Sequence, residues 1–330
     1  MKKHVLAFGT EFTPDQLATL RGSFEVTWIA KPDEEKEAFA AALLRAHGII
    51  GGRRVMERIP LDPATTPRLE ALATLSVGHD RFDFATLKTR GIVLTNTSTA
   101  AAESTADLGF ALLMAAARRI AELDAWVRRG EWKKSVGEAH FGTSLHGKRL
   151  GLVGFGQIGQ AIGRRGRHGF GMEILYHSRR PNQAAARPLD AAWVPLDTLL
   201  AEADFLCVAL ALTPETRHFL GRREFSLVRP GAILVNISRG ETLDEAALID
   251  ALRENRLRAA ALDVYETEPL PADSPLMTMA NVVLSPHMGT STHETRRAMA
   301  DEGIVELTAA LSGRRPSRLV NAEVWEARKT

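Results

Sequence analysis

Two parallel-sheet α/β domains are the fold that this chain predicts, and three features of the sequence lead to it. Short apolar runs alternate with helical patterns from one end to the other, the arrangement from which parallel sheets with covering helices are built. A glycine-rich turn, Gly154-Phe155-Gly156-Gln157-Ile158-Gly159, stands between one such run and a helical stretch. With 330 residues, 45% hydrophobic and 25% charged, the chain has the length and composition for about two globular cores.

In the first hundred residues the strand candidates are 4–8, 25–29, 48–51, 72–75 and 92–94, separated by helical stretches such as 33–46. No phosphate-binding glycine pattern occurs there, so this half reads as an α/β unit serving a substrate. Residues 100–129 read as one long helix without an internal proline, with Gly109 as its only weak point. The stretch 112–117 is apolar around much of its circumference, which predicts burial, a subunit interface among the candidates. Strand patterns resume at 173–177, 205–210, 232–237, 259–264 and 282–284, enough for a doubly wound sheet. Residues 292–312 predict a final amphipathic helix long enough to return to the first domain.

The glycine turn carries the first functional signal. Residues 148–153 form an apolar run entering Gly154, 160–168 read as a helix, and 172–176 as the next strand. Strand, glycine turn, helix and strand within one short unit is the setting in which such a turn binds a dinucleotide. Gly154 allows the tight turn, Gly156 leaves room for the pyrophosphate, and Gly159 permits close helix packing. The N–H groups of Gln157 and Ile158 would receive the pyrophosphate. At the end of the second strand, where an acidic residue would accept hydrogen bonds from the ribose of NAD, the chain reads His177-Ser178-Arg179-Arg180. A hydroxyl and two guanidiniums at Ser178, Arg179 and Arg180 suit a 2′-phosphate, so the expected cofactor is NADPH or NADP, with NADH weaker.

Composition narrows the remaining classes. A net charge of +2 gives no general basic field, so nucleic acid is not an expected partner, and Arg164, Arg165 and Arg167 read as a solvated helix face. Cys207 is the only cysteine, which excludes a disulfide framework and a thiolate metal site; no metal is expected. It lies in an apolar run and reads as a packed core thiol. The N-terminal apolar stretch is too short for a secretory leader and no run of eighteen apolar residues occurs, so a cytoplasmic protein with no membrane partner is expected.

Three polar side chains follow late strands of the dinucleotide unit: Arg239 after 232–237, Glu268 after 259–264, and His287 after 282–284. Carboxyl ends of parallel strands are where open α/β sheets bind ligands, which brings the three toward one crevice. Reduction of a 2-oxo acid needs a cation for the carboxylate and carbonyl, a proton donor for the developing alkoxide, and a hydride. Arg239 can be the clamp and His287 the acid, with Glu268 stabilising the imidazolium and fixing the ring.

Arg239, Glu268 and His287, spaced 29 and 19 residues apart, resemble the catalytic triad of the D-isomer-specific 2-hydroxyacid dehydrogenase family, and the likeness extends over essentially the whole chain. Ser76-Val77-Gly78-His79-Asp80 resembles the family's substrate loop, which implies that the N–H groups of Val77 and Gly78 hold the substrate carboxylate. Asp263 matches the position facing the nicotinamide carboxamide, and residues 105–112 resemble the linker helix, with Thr105 near the cofactor phosphates. Residues 130–132, 141–143 and 273–276 resemble the bacterial NADPH-dependent glyoxylate/hydroxypyruvate reductases within the family, which also reduce 2-ketogluconate. His79 stands where Tyr is common and His140 where Trp is common, departures that bear on substrate size. The resemblance implies two Rossmann-like or flavodoxin-like domains separated by an active-site cleft. One is a discontinuous substrate domain of residues 1–99 and 289–330, the other a cofactor domain of residues 100–288. It also implies a homodimer formed through the cofactor domain. Two rivals stay open at this level: an NAD-dependent D-lactate or phosphoglycerate dehydrogenase, and a dinucleotide-sensing corepressor or scaffold on the same fold.

Overall fold

The computed structural model describes residues 2–9 and 12–328. The chain divides into two compact units, Met1–Ala101 with Thr290–Thr330, and Ala102–Gly289.

The first unit holds a five-stranded sheet of β1 (His4–Phe8), β2 (Glu25–Ile29), β3 (Gly48–Gly51), β4 (Ala71–Thr74) and β5 (Val93–Thr95). Their order is β2-β1-β3-β4-β5 and every pair is parallel, the flavodoxin-like arrangement. Alternation along the strands loads both faces: Val5, Ala7, Ile50, Ala73 and Val93 pack on one side, and Leu6, Phe8, Ile49, Leu72 and Leu94 on the other. The helix His293–Leu311 covers the first face through Ala300, Ile304, Leu307 and Leu311. It approaches so closely at Gly303 that a Cβ there would lie 2.6 Å from Leu75 Cδ2.

The free edge of β5 is closed by the chain beyond that helix. Leu319 bridges Thr95 in antiparallel fashion and the Val320 N–H donates to Leu94 O at 2.9 Å. The buried side-chain amide of Asn321 then stands in for a further strand, accepting from the Leu94 N–H and donating to Ile92 O, both at 2.8 Å. Asn321→Ala leaves both strand groups unpaired and is expected to destabilise the protein by about 2–3 kcal/mol. A urea denaturation midpoint equal to that of the parent would show that the edge is satisfied by other groups.

The second unit holds seven parallel strands, β6 (Arg149–Val153), β7 (Glu173–His177), β8 (Ala192–Trp193), β9 (Phe205–Val208), β10 (Ala232–Asn236), β11 (Leu257–Leu262) and β12 (Val282–Leu284). The order β12-β11-β10-β9-β6-β7-β8 reverses between β6 and β9, the switch point at which doubly wound sheets bind ligands. Leu150, Leu152, Phe205, Cys207, Ile233 and Val235 load one face, and Val153, Leu206, Val208, Leu234 and Ala260 the other. Cys207 is fully buried and its thiol is pushed up to about 12 by burial, so it is a core side chain and no nucleophile.

The structure corrects the reading of 100–129 as one helix. Ser98–Ala117 and Ile120–Arg128 are separate helices, broken at Arg119, whose φ of 57° and ψ of 34° are left-handed. At the break the Ala117 carbonyl accepts from the Thr143 N–H at 2.7 Å, and the Arg119 guanidinium bonds both oxygens of Glu122 at 2.8 and 2.6 Å and also reaches Ala139 O. Gly109 lies inside the first helix, where a Cβ would meet Ile162 Cδ1 at 3.3 Å and Ile237 Cγ1 at 3.4 Å; it serves close packing. Ser98–Ala117 is long and apolar enough to match a membrane span by length and composition, yet 56% of its most apolar window is buried inside the protein.

Strand limits move where chain ends leave the ladder. The 205–210 pattern stops at Val208: the Ala209 N–H makes the last bond to β6, on Val153 O, where β6 itself ends. The 259–264 pattern slides to Leu257–Leu262, and the two-residue β8 carried no signal. The helix expected at 33–46 is Lys36–Leu43, and the one expected at 160–168 begins within the glycine motif, at Gln157, and runs to Phe170.

Candidate active site

The glycine turn leaves β6 at the switch point. Gly154 has a φ of 102°, and a Cβ on it would stand 2.5 Å from Ala209 O, so no other residue fits the turn without displacing β9. A Cβ on Gly159 would collide with the Gly154 carbonyl oxygen, which fixes how closely the helix enters. Gly156 is different, since nothing lies within 4 Å of its Cβ position. That open space lies at the start of the helix Gln157–Phe170, which has no side-chain cap. The Gln157 and Ile158 N–H groups donate to no acceptor among the described residues. Room beside Gly156 together with unpaired N–H groups at the positive end of a 14-residue helix fits a pyrophosphate.

The chain after β7 forms an exposed turn. Ser178 Oγ donates to Arg180 O at 2.8 Å, so its hydroxyl shapes the turn, and the positive charge is carried by Arg179 and Arg180. The Arg179 charge reaches Glu215, in the loop after β9. A hydrogen bond from Thr213 is the main influence holding the Glu215 carboxyl below its ordinary range, and Arg179 adds to it. Because β7 and β9 lie on either side of β6, these loops flank the glycine turn.

At the end of β10 the fully buried Asn236 folds the next loop around its own side chain. Its Oδ1 accepts from Ser238 N at 3.0 Å and Ser238 Oγ at 2.8 Å, while its Nδ2 donates to Arg239 O at 3.0 Å. Thr242 Oγ1 donates to the same carbonyl at 2.6 Å. Arg239 is thereby presented on a rigid loop, with Nη1 donating to Ser238 O at 2.7 Å. At Gly240 this loop presses on the neighbouring one: a Cβ there would collide with the Tyr265 carbonyl and the Glu266 nitrogen.

Strands β11 and β12 supply the other two groups. His287 Nδ1 lies 2.7 Å from Glu268 Oε2, with both side chains about three-quarters buried at 26% and 23% exposure. Glu268 Oε1 also accepts from the Tyr265 N–H at 3.3 Å. His287 has a left-handed φ of 56°, uncommon for a residue with a Cβ. That conformation is imposed by Asp263, which is buried and wrapped by the loop. Asp263 Oδ1 accepts from Ser285 Oγ at 2.7 Å and Met288 N at 2.8 Å, and Oδ2 accepts from Gly289 N at 3.0 Å. Tyr265 clamps the same strands: its hydroxyl stands 3.0 Å from Leu262 O and 2.9 Å from Ser285 O, and it accepts from Ser285 N at 3.1 Å. Burial pushes that phenol up to about 12, so it stays neutral. Thr105 Oγ1 donates to Gly289 O at 3.2 Å, which ties the long helix to the end of the His287 loop. Of these supporting residues Asn236, Gly240 and Tyr265 went unnoticed in the sequence. Only Gly240, directly after Arg239, offered a signal.

In the first unit, the loop after β4 carries Val77 and Gly78. Val77 O accepts from Asn96 Nδ2 at 3.1 Å and lies 3.2 Å from His79 Nδ1, while the Val77 and Gly78 N–H groups have no acceptor among the described residues. His140 packs its ring against Trp126 at 4.8 Å between centroids.

These features coincide with a known family. The family profile "D-isomer specific 2-hydroxyacid dehydrogenase, NAD binding domain" matches residues 110–289. This chain belongs to that family. The dehydrogenase is 42% identical over 330 residues to a glyoxylate/hydroxypyruvate reductase B of Enterobacter agglomerans, covering 98% of this chain and 99% of the relative. A protein of the same name from Yersinia pseudotuberculosis serotype O:3 is 46% identical over 293 residues, 89% of each chain. Among solved structures, the NADPH-dependent glyoxylate/hydroxypyruvate reductase of Sinorhizobium meliloti in complex with NADP and malonate superimposes with a TM-score of 0.81. It is 32% identical and covers 97% of both chains. The family expected from the motifs is therefore the one found, and the dehydrogenase is an NAD(P)-dependent oxidoreductase with two parallel-sheet α/β units.

Proposed function

We propose that this dehydrogenase reduces small 2-oxo acids, glyoxylate, hydroxypyruvate and 2-ketogluconate among them, to D-2-hydroxy acids with NADPH. The observation that carries the reading is the His287–Glu268 pair at 2.7 Å, on the loop beside the one that presents Arg239. The names of the relatives and the NADP complex of the Sinorhizobium meliloti enzyme support it.

A bound nicotinamide dinucleotide supplies the hydride that C2 of the substrate accepts. The chain's own residues do the rest. Arg239 orients the substrate carboxylate and draws electron density toward the carbonyl oxygen. We also assign to substrate binding the Val77 and Gly78 N–H groups of the first unit, which have no acceptor among the described residues. Because Nδ1 of His287 is engaged with Glu268, Nε2 is the atom that hands a proton to the nascent alkoxide, and the carboxylate stabilises the imidazolium before transfer. Gln157 and Ile158 hold the pyrophosphate, and Arg179 and Arg180 the 2′-phosphate. Asp263, with both oxygens bonded to the loop, sets the height of His287 and faces the carboxamide with the remaining lone pair. A homodimer formed through the second unit and a cytoplasmic location complete the proposal. The exposed apolar side chains Ile120, Val127, Trp132, Val136 and Phe141, all within one stretch of that unit, support the dimer.

Loss of NADPH absorbance with glyoxylate tests the activity, and a protein with no turnover on any 2-oxo acid would be a binding protein on the same fold. For cofactor choice, Arg179→Ala with Arg180→Ala is expected to raise the KM for NADPH on the order of 100-fold, two charged hydrogen bonds discounted for exposure, with little change for NADH. Equal effects on both coenzymes would remove the 2′-phosphate assignment.

A further inference from the structure

The turn carrying Arg179 and Arg180 is held in shape from outside the cofactor motif. We propose that Trp193 is a positioning residue that sets this turn for recognition of a 2′-phosphate. The inference rests on the NADPH reading above and deepens it.

Trp193 belongs to β8, the two-residue edge strand, and pairs with Tyr176 of β7. From there its indole Nε1 donates to Ser178 O at 3.0 Å. Ser178 Oγ in turn donates to Arg180 O at 2.8 Å, and the Asn182 N–H to Tyr176 Oη at 2.9 Å. Together with the Gly154 N–H on His177 O and the Val194 N–H on Tyr176 O at its base, these bonds hold the backbone between 176 and 182. The Arg179 and Arg180 guanidiniums make no hydrogen bond among the described residues; apart from the attraction between Arg179 and Glu215, the backbone of the turn is what aims them. The indole bond is the tie that reaches Ser178, at the start of the turn itself, from another strand.

Core packing does not account for an indole at this position. The residue is 38% exposed, and its aromatic neighbour is His177 at 6.1 Å between centroids. The geometry that is specific to tryptophan here is the N–H aimed at the turn. Long arginine side chains lose rotamer freedom when they grip a phosphate, and a preset backbone reduces what else must be ordered. A ligand without the 2′-phosphate makes no demand on that turn and should be indifferent to the tie.

Trp193→Phe keeps a ring beside His177 and removes only the donor. In calorimetry on the full chain, its Kd for 2′,5′-ADP is expected to rise about 3- to 10-fold, the worth of one hydrogen bond, with the Kd for 5′-AMP unchanged. The KM for NADPH should follow the same factor while kcat at saturation and the melting temperature stay at parent values. Ser178→Ala, which cuts the inner tie, should show the same split between the two nucleotides and guards against a folding defect in the first variant. If both nucleotides weaken equally, or neither does, while the double arginine variant still discriminates, Trp193 has no positioning role. If the arginine variant also fails to discriminate, the 2′-phosphate reading itself is overturned and this inference with it.

Discussion

His287→Ala is expected to lower kcat for glyoxylate reduction by about 10²- to 10⁴-fold, the usual worth of a positioned general acid. Dinucleotide affinity should not change, because the ring contacts Glu268 and no element of the glycine turn. Glu268→Gln is the informative companion. It preserves a hydrogen-bond partner for Nδ1 but removes the carboxylate charge beside the ring, so its loss should be smaller than that of His287→Ala. Steady-state kinetics across pH with both variants separates proton donation from ring placement. A His287→Ala enzyme turning over at near-parental rate would mean that the proton reaches the alkoxide from another group.

The second large effect is expected at a residue with no chemistry of its own. Gly240→Ala puts a methyl group into the backbone of Tyr265 and Glu266, and neither can move aside as a flexible side chain would. The loop bearing Arg239 and the loop leading to Glu268 must then separate. Asn236 and Thr242 hold the first loop by its carbonyl, so the displacement is transmitted to Arg239 itself. A destabilisation of about 3 kcal/mol or more is expected, with kcat/KM down at least about 100-fold in whatever folds. Thermal melts and initial rates measured together check this. A variant with parental melting temperature and activity would show that the two loops are not in contact.

These effects differ in how far the sequence announces them. His287 and Glu268 stand out because each follows an apolar strand run, and a histidine with a carboxylate suggests acid catalysis. That they meet at 2.7 Å across 19 residues is a property of β11 and β12 lying side by side. Gly240 offers only its place directly after Arg239 as a sign, since what it must avoid is the backbone of residues 25 and 26 positions further along the chain. Asn236 and Tyr265 likewise have ordinary neighbours in sequence, and their value comes from the groups folded around them. The break at Arg119 was invisible for a related reason: Arg119 is a residue of good helix propensity, and the group that takes the Ala117 carbonyl at the helix end, the Thr143 N–H, is remote in sequence.

Alternating apolar runs, the spacing of Gly154, Gly156 and Gly159, and the basic sequel at 178–180 are local signals, each complete within a dozen residues. Strand patterning and turn chemistry depend on near neighbours, so fold class, cofactor class and family were legible from the chain alone. Strand order was not, because a parallel sheet leaves no local mark of which strand lies beside which. The amide of Asn321 closing β5 across 229 residues, the Asp263 carboxylate drawing the His287 loop around itself, and the indole of Trp193 bracing the Ser178 turn exist only once the sheets have formed. Each is a buried or edge polar group whose partner is chosen by folding, and it is through such pairings that residue types already visible in the sequence acquire a working geometry.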